Sequence, residues 1–277
     1  MKRRWTPRAK PFWLLPALGA LCLVAGRPAS AGDQGWTREQ KLVAANVAVA
    51  GGILTWGAFA WDYGSSDYNI RSEGWFGENT SHGGADKTGH FYAAYVFSHG
   101  FAGAYQHWGY DRETAARYGA FSSWGATALM EVGDGFSDFG SSYEDLVMNT
   151  AGAAAGWLLY RSPSLQRKLD FRVQYWPGFD ESDITTDYER LKYLAAVKLG
   201  GFDAFRDTPL RWLELHAGYF TRGYEDVSVD RERNVFVGLG INLSALLEGA
   251  GWHKSATFLR YYQPPGTSLQ WTHDLND

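Results

Sequence analysis

The feature that most constrains this chain is a change of hydrophobic period near Pro163. Before it, long apolar stretches rich in Ala and Gly recur at helical length. After it, from about Phe171, apolar and polar residues alternate with a period of two. Side chains on a helix repeat about every 3.6 residues and on a strand every two, so the chain reads as helices followed by strands. The expected fold is α+β, an N-terminal four-helix bundle followed by a C-terminal antiparallel β-meander, with the two parts meeting around residues 163–185.

Four helices are expected: residues 37–61, 86–108, 112 to about 132, and 143–160. Thr37 with Gln40 three residues on has the spacing of a capping box. The first helix is nearly uniformly apolar between Leu42 and Trp61, about the length of a membrane span, and reads equally as a buried core helix or a membrane-inserted one. The third and fourth carry small residues at four-residue spacing, Ala115, Gly119 and Ser123, then Gly152 and Gly156, which lets helix backbones approach closely. Strands are expected over residues 171–176, 191–202, 210–223, 233–243 and 258–262. In the fourth of these Val235, Val237, Leu239, Ile241 and Leu243 share one face. So few strands cannot close a bacterial outer-membrane barrel, which takes about eight, so an open sheet packed on the bundle is expected.

The N-terminus has the form of a secretory signal. Five basic residues lie in MKRRWTPRAK, an apolar run spans Phe12 to Ala25, and small residues lead to a cut after Ala31. The expected organisation is residues 1–31 signal peptide, 32–163 helical bundle and 164–277 β-sheet subdomain. Cleavage would remove six basic residues and no acidic one, leaving 20 basic against 30 acidic, a net charge of −10. A chain this acidic is no electrostatic binder of nucleic acid. The only cysteine, Cys22, lies inside the signal, preceded by Leu21 rather than a small residue, so lipidation there ranks below simple cleavage. Aromatic residues make up 16% of the chain, a share that suits a membrane interface or a glycan surface as well as a core.

The chemistry gathers at helix ends. Asp86, Lys87 and His90 open the second helix, with His82 just upstream; Glu131, Asp134 and Asp138 close the third; Asp145 and Asn149 open the fourth. Charges inside apolar helices are costly unless paired, metal-bound or used. Two readings stay open. In one, these groups form a structural network, with Lys87 against Glu131, His90 against Asp134 and Asn149 capping a helix. In the other they form a hydrolase or transferase site for a lipid or glycan, with Glu131 or Asp134 as base, His90 as acid or ligand and Lys87 stabilising an anion. Asp86 and His90, with Glu131 and either Asp134 or Asp138 completing an oxygen-rich shell, could then hold a divalent metal such as Mg, Mn or Zn. His99 and His107 read as interfacial or solvated, His216 as a packing residue, and the acidic segment 180–187 as a solvated turn.

The segments GGADKTGHFYAAY and ALMEVGDGFSDFGSSYEDLVMNTAGAAAG resemble the YfiM-like family of predicted periplasmic lipoproteins, over residues 83–160 and again in the C-terminal strands. They are more remotely similar to VanZ-like membrane proteins, which place D-K-x-x-H and D-x-x-x-N-x-x-G motifs alike. The resemblance implies an envelope location and no established activity; the partners expected are the membrane or outer-membrane lipid, with an envelope protein or a glycan beside it. By the same resemblance Asp86, Lys87, His90, Glu131, Asp134, Asp145 and Asn149 are signature positions.

Overall fold

A computed structural model describes residues 35–176, 187–225 and 228–277; the signal-peptide reading, Cys22 and most of the acidic segment 180–187 lie outside the described residues. The fold is α+β. The N-terminal half holds helices α1 (Arg38–Ala60), α2 (Ala85–His107), α3 (Arg112–Gly135) and α4 (Tyr143–Arg161). A short α5 (Pro163–Lys168) leads into β1 (Leu169–Tyr175), and Pro163 sits in its first turn, where a missing N–H costs nothing. Strands β2 (Leu191–Lys198), β3 (Leu213–Arg222) and β4 (Glu232–Ile241) follow. Then come two short helices, α6 (Leu243–Gly249) and α7 (His253–Phe258), and finally β5 (Ser268–Asp274). The strands form one antiparallel sheet in the order β1-β2-β3-β4-β5.

Small residues decide how the helices cross. A Cβ on Gly119 of α3 would stand 2.6 Å from the Ser98 carbonyl oxygen and the Ala102 nitrogen of α2. On Gly156 of α4 it would stand 2.6 Å from Ser98 Cβ, and on Gly152 it would run into the Phe91 carbonyl. Ser123 Oγ donates to the Ala94 carbonyl at 2.7 Å, adding a hydrogen bond at the same crossing. Helix α2 is therefore clasped between α3 and α4 at backbone distance.

Helix α1 has the capping box that its sequence predicts, with Thr37 and Gln40 bonding reciprocally. It is not a core helix. Only Ala45 and Gly57 are buried, and Val43, Val47, Leu54 and Phe59 are exposed. It is the one helix among the described residues long and apolar enough to cross a membrane. Leu42 and Val49 touch the Phe101–Tyr105 cluster of α2, and Tyr63 wedges its ring against Gly57 of α1 and Gly133 of α3.

The last expected strand, 258–262, is not formed as a strand. Helix α7 runs to Phe258, and the following Tyr261–Gln263 only bridges to Val173 of β1 before two prolines remove the donors a ladder needs. The fifth strand is the later segment SLQWTHD. The sheet encloses a mixed face, on which buried charges lie beside the apolar cluster Leu194, Ala196, Phe220 and Phe236. Asp170, Arg172, Lys198, Glu214, His216 and Asn234 are buried, whereas Leu215, Val235, Val237 and Ile241 are exposed. The sheet curls about this mixed face until Gln270 of β5 donates to Gln174 of β1 at 3.1 Å, although no ladder joins those edge strands.

Candidate functional site: an acid-rich cluster inside the bundle

The loop between α1 and α2, the start of α2, the end of α3 and the start of α4 converge. Ser142 caps α4 by accepting from the Asp145 amide and also donates to Glu144 at 3.1 Å. Glu144, fully buried, accepts from Ser72 Oγ at 2.5 Å and from the Gly74 amide at 3.1 Å, pinning the loop that delivers Glu73. Burial alone would raise the Glu144 carboxyl, but the Ser72 hydroxyl and backbone amides hold it down at about 2.

Lys87 is the centre of one half of the cluster. Its side chain is 1% exposed, and Nζ lies 2.5 Å from Glu73, 2.9 Å from Asp86 and 2.8 Å from Asp145. Burial would strip the ammonium of its proton, yet Asp86 and Asp145 outweigh that and raise it above the ordinary lysine range. Carboxylate oxygens of Glu73, Asp86 and Asp145 lie within 4.8 Å of one another, a spacing fit for a metal ion, and Lys87 supplies a cation there instead.

The other half is built around His90, whose side chain is 27% exposed. Its Nδ1 lies 3.3 Å from Asn149 Oδ1 and 3.6 Å from Glu131 Oε1, and its Nε2 lies 3.7 Å from Asp145 Oδ1. Asn149 donates to Glu131 Oε1, and the Ser142 amide donates to Glu131 Oε2, both at 3.3 Å. Burial pushes the Glu131 carboxyl up to about 7; His90 opposes the rise, while Asp145 and Asp134 add to it. One donor atom each from His90, Glu131 and Asp145 falls within 4.8 Å of the others, a mixed nitrogen and oxygen set suited to a borderline divalent ion. Chemically, the arrangement offers a carboxyl that exchanges protons near neutral pH beside a partly open imidazole.

The structure thus brings together Asp86, Lys87, His90, Glu131, Asp145 and Asn149, with pairings that differ from those the sequence predicts. Lys87 meets Glu73, Asp86 and Asp145 rather than Glu131, because α4 lies next to the start of α2. His90 faces Asn149 and Glu131 rather than Asp134. Asn149 bonds a side chain and caps no helix. Asp134, nearly a full helical turn beyond Glu131, sits beside Tyr63, and Asp138 is exposed after α3 has ended. His99 is buried, not solvated. It contacts the Tyr261 hydroxyl at 2.9 Å and the Gly156 carbonyl at 3.1 Å, and burial lowers it to about 4. His107 is exposed, and His216 is buried against Glu214 at 2.9 Å.

Sequence reasoning misses Glu73 and Glu144. Glu144 has a signal, an acid one residue before Asp145 in the first turn of a helix. Glu73 has none, since its loop is polar throughout. The buried group Asp170, Arg172 and Glu214 is also missed, though the alternation of LDFRVQY and LELH marks it.

The fold and cluster together define a class, a small-residue helical bundle that encloses ionisable groups and is backed by a curled sheet. Residues 72–161 match the model of a family described as predicted periplasmic lipoprotein (DUF2279), and the match spans the loop and the three helices that build the cluster. No curated protein and no solved structure matches the chain.

Proposed function

We propose that this is a membrane-associated protein of the periplasmic cell envelope, a structural or interaction protein whose buried Asp/Lys/His/Glu network locks the bundle. The observation that carries the reading is Lys87, a nearly unexposed ammonium held by carboxylates from a loop, from α2 and from α4. Such a group welds three segments, because removing one partner leaves uncompensated charge in a low-dielectric interior. The periplasmic description of the matched family and the resemblance to YfiM-like and VanZ-like proteins support the location. The exposed apolar flank of α1 supports contact with lipid. Within the same reading the chain is exported by a signal cut after Ala31, and its partners are membrane or outer-membrane lipid, with an envelope protein or a glycan beside it.

The test replaces Glu131 by Gln and His90 by Ala and follows melting temperature together with envelope phenotype. A structural network predicts that stability and phenotype fall in step. A second reading, a hydrolase or transferase acting on a lipid or glycan, is favoured by one observation, the neutral-range Glu131 carboxyl beside the partly open His90. In it Glu131 is the base, His90 the acid or a metal ligand, and Lys87 the anion-stabilising charge. A fully folded Glu131→Gln protein with no phenotype-restoring activity would select it.

A further inference from the structure

The bundle-facing side of the sheet is only half covered. Helix α2 packs on it through Phe91 and Tyr95 against Phe171, and through Tyr92 against Tyr193. Cross-strand register places Leu215, Leu239 and Leu269 in one row, Ala217, Val237 and Trp271 in the next, and Leu213 with Ile241 at the end. These rows belong to the same face but lie beyond α2. Leu215, Val235, Val237, Ile241, Leu269 and Trp271 are 37–66% exposed.

We propose that this uncovered face of β3, β4 and β5 is a lipid-contacting surface that rests on one leaflet of a bilayer; the inference builds on the membrane-associated reading above. Three observations select lipid. First, the outer rows are apolar while the enclosed face gathers the sheet's buried charges beside the apolar cluster Leu194, Ala196, Phe220 and Phe236. That face holds Arg172 in a bidentate pair with Glu214 at 2.6 and 3.0 Å, and Lys198 with Asp170 at 2.6 Å. Strands that are apolar outside and carry polar groups inside are the pattern of sheets solvated by hydrocarbon. Second, the band carries no charged residue from Val235 to Ile241, and it ends at aromatic and basic residues on both sides. Tyr219 and His273 share one margin with Val235, and Arg211 stacked over Trp212 lies at the other. Aromatic and cationic rims of this kind suit a headgroup layer. Third, size argues against a second copy. The exposed apolar area of the six side chains is on the order of 600 Å², large for a monomer yet below the roughly 800 Å² per partner of a stable interface. The band's seven residues reach about 20 Å. That is short of the apolar height of about 25 Å in spanning barrels, so the face lies on a leaflet rather than through one.

The experiment uses the full chain with vesicles of phosphatidylethanolamine and phosphatidylglycerol, read by flotation. Val237→Glu with Leu269→Glu on the sheet is compared with Val43→Glu and Val47→Glu on α1, each variant checked for an unchanged melting curve. The expected result is that the sheet pair weakens flotation by about tenfold. Should the sheet pair also unfold the protein, Val237→Thr with Leu269→Thr replaces it, with a smaller loss of the same sign expected. Normal flotation of a folded sheet variant, with loss in the α1 variant, overturns the inference and leaves the membrane reading standing. Failure of the unsubstituted chain to float overturns both. A dimer in solution that the sheet pair dissociates also overturns it, in favour of a second copy.

Discussion

The bundle and the sheet each bury a cationic side chain among carboxylates, and their charge balances differ. In the sheet Arg172, Lys198 and the part-exposed Arg260 face Asp170 and Glu214, so no acid is in surplus, and Gln263 satisfies a further Arg172 N–H at 2.7 Å. In the bundle Lys87 faces Glu73, Asp86 and Asp145, with Glu131 close by, so acid exceeds base by several charges. A buried cluster without surplus acid needs no added proton or cation to stay folded. An unbalanced one stays folded only by holding protons or a cation, and the carboxyl of Glu131, near 7, is where a proton is held. Polar burial alone therefore does not mark a site; the surplus charge does.

The contrast yields a graded set of tests. The largest effect is expected for Lys87→Met, which strands three carboxylates and costs roughly 3–5 kcal/mol in denaturant unfolding. Neutralising a single partner, Asp145→Asn, should not rescue it. In the sheet, Arg172→Met alone should cost about as much, but the double change Arg172→Met with Glu214→Leu should recover most of the loss, since no surplus remains. Equal rescue in both clusters would erase the distinction.

Next comes pH. Glu131 is raised in the folded state from the usual carboxylate range to about 7. Its contribution is therefore fully present below the unfolded value and is lost as pH rises toward and through 7. The protein should lose up to about 3 kcal/mol between pH 4.5 and 8, and Glu131→Gln should flatten that slope. His99 acts oppositely. Held neutral down to about 4, it removes stability as pH falls below 6.5, so wild type and variant are compared at each pH. A slope unchanged in Glu131→Gln would place the surplus proton elsewhere.

Smaller still, Gly119→Val should cost about 2 kcal/mol by forcing α3 off α2. The smallest expected effect is a rise of about 1 kcal/mol or less in stability on adding Zn or Mn at a few times its dissociation constant. That rise should vanish in His90→Ala and persist in the double change Arg172→Met with Glu214→Leu. No change in melting with either ion removes the metal branch.

The helical half was nearly transparent to reading, because Thr37–Gln40, the small-residue spacings and the helix-end acids each carry a local cause. The curled sheet was less so. Alternation around Val235 and Val237 separates two faces without saying which one meets water, and an inward apolar face is the ordinary expectation. Which face closes depends on twist, on Gln270 meeting Gln174 and on what α2 happens to cover.

Period and spacing alone settled that helices precede strands, the capping of α1, the small-residue faces that let α3 and α4 pack closely, and the presence of acids at three helix ends. Only the folded arrangement decided that Lys87 is shared by Glu73, Asp86 and Asp145, that Asp138 stands apart, and that the valines of β4 point outward. The reason is range. Propensity and periodicity act over a few residues, whereas the partners of Lys87 lie up to 58 positions away in sequence, and nothing short of packing selects among them.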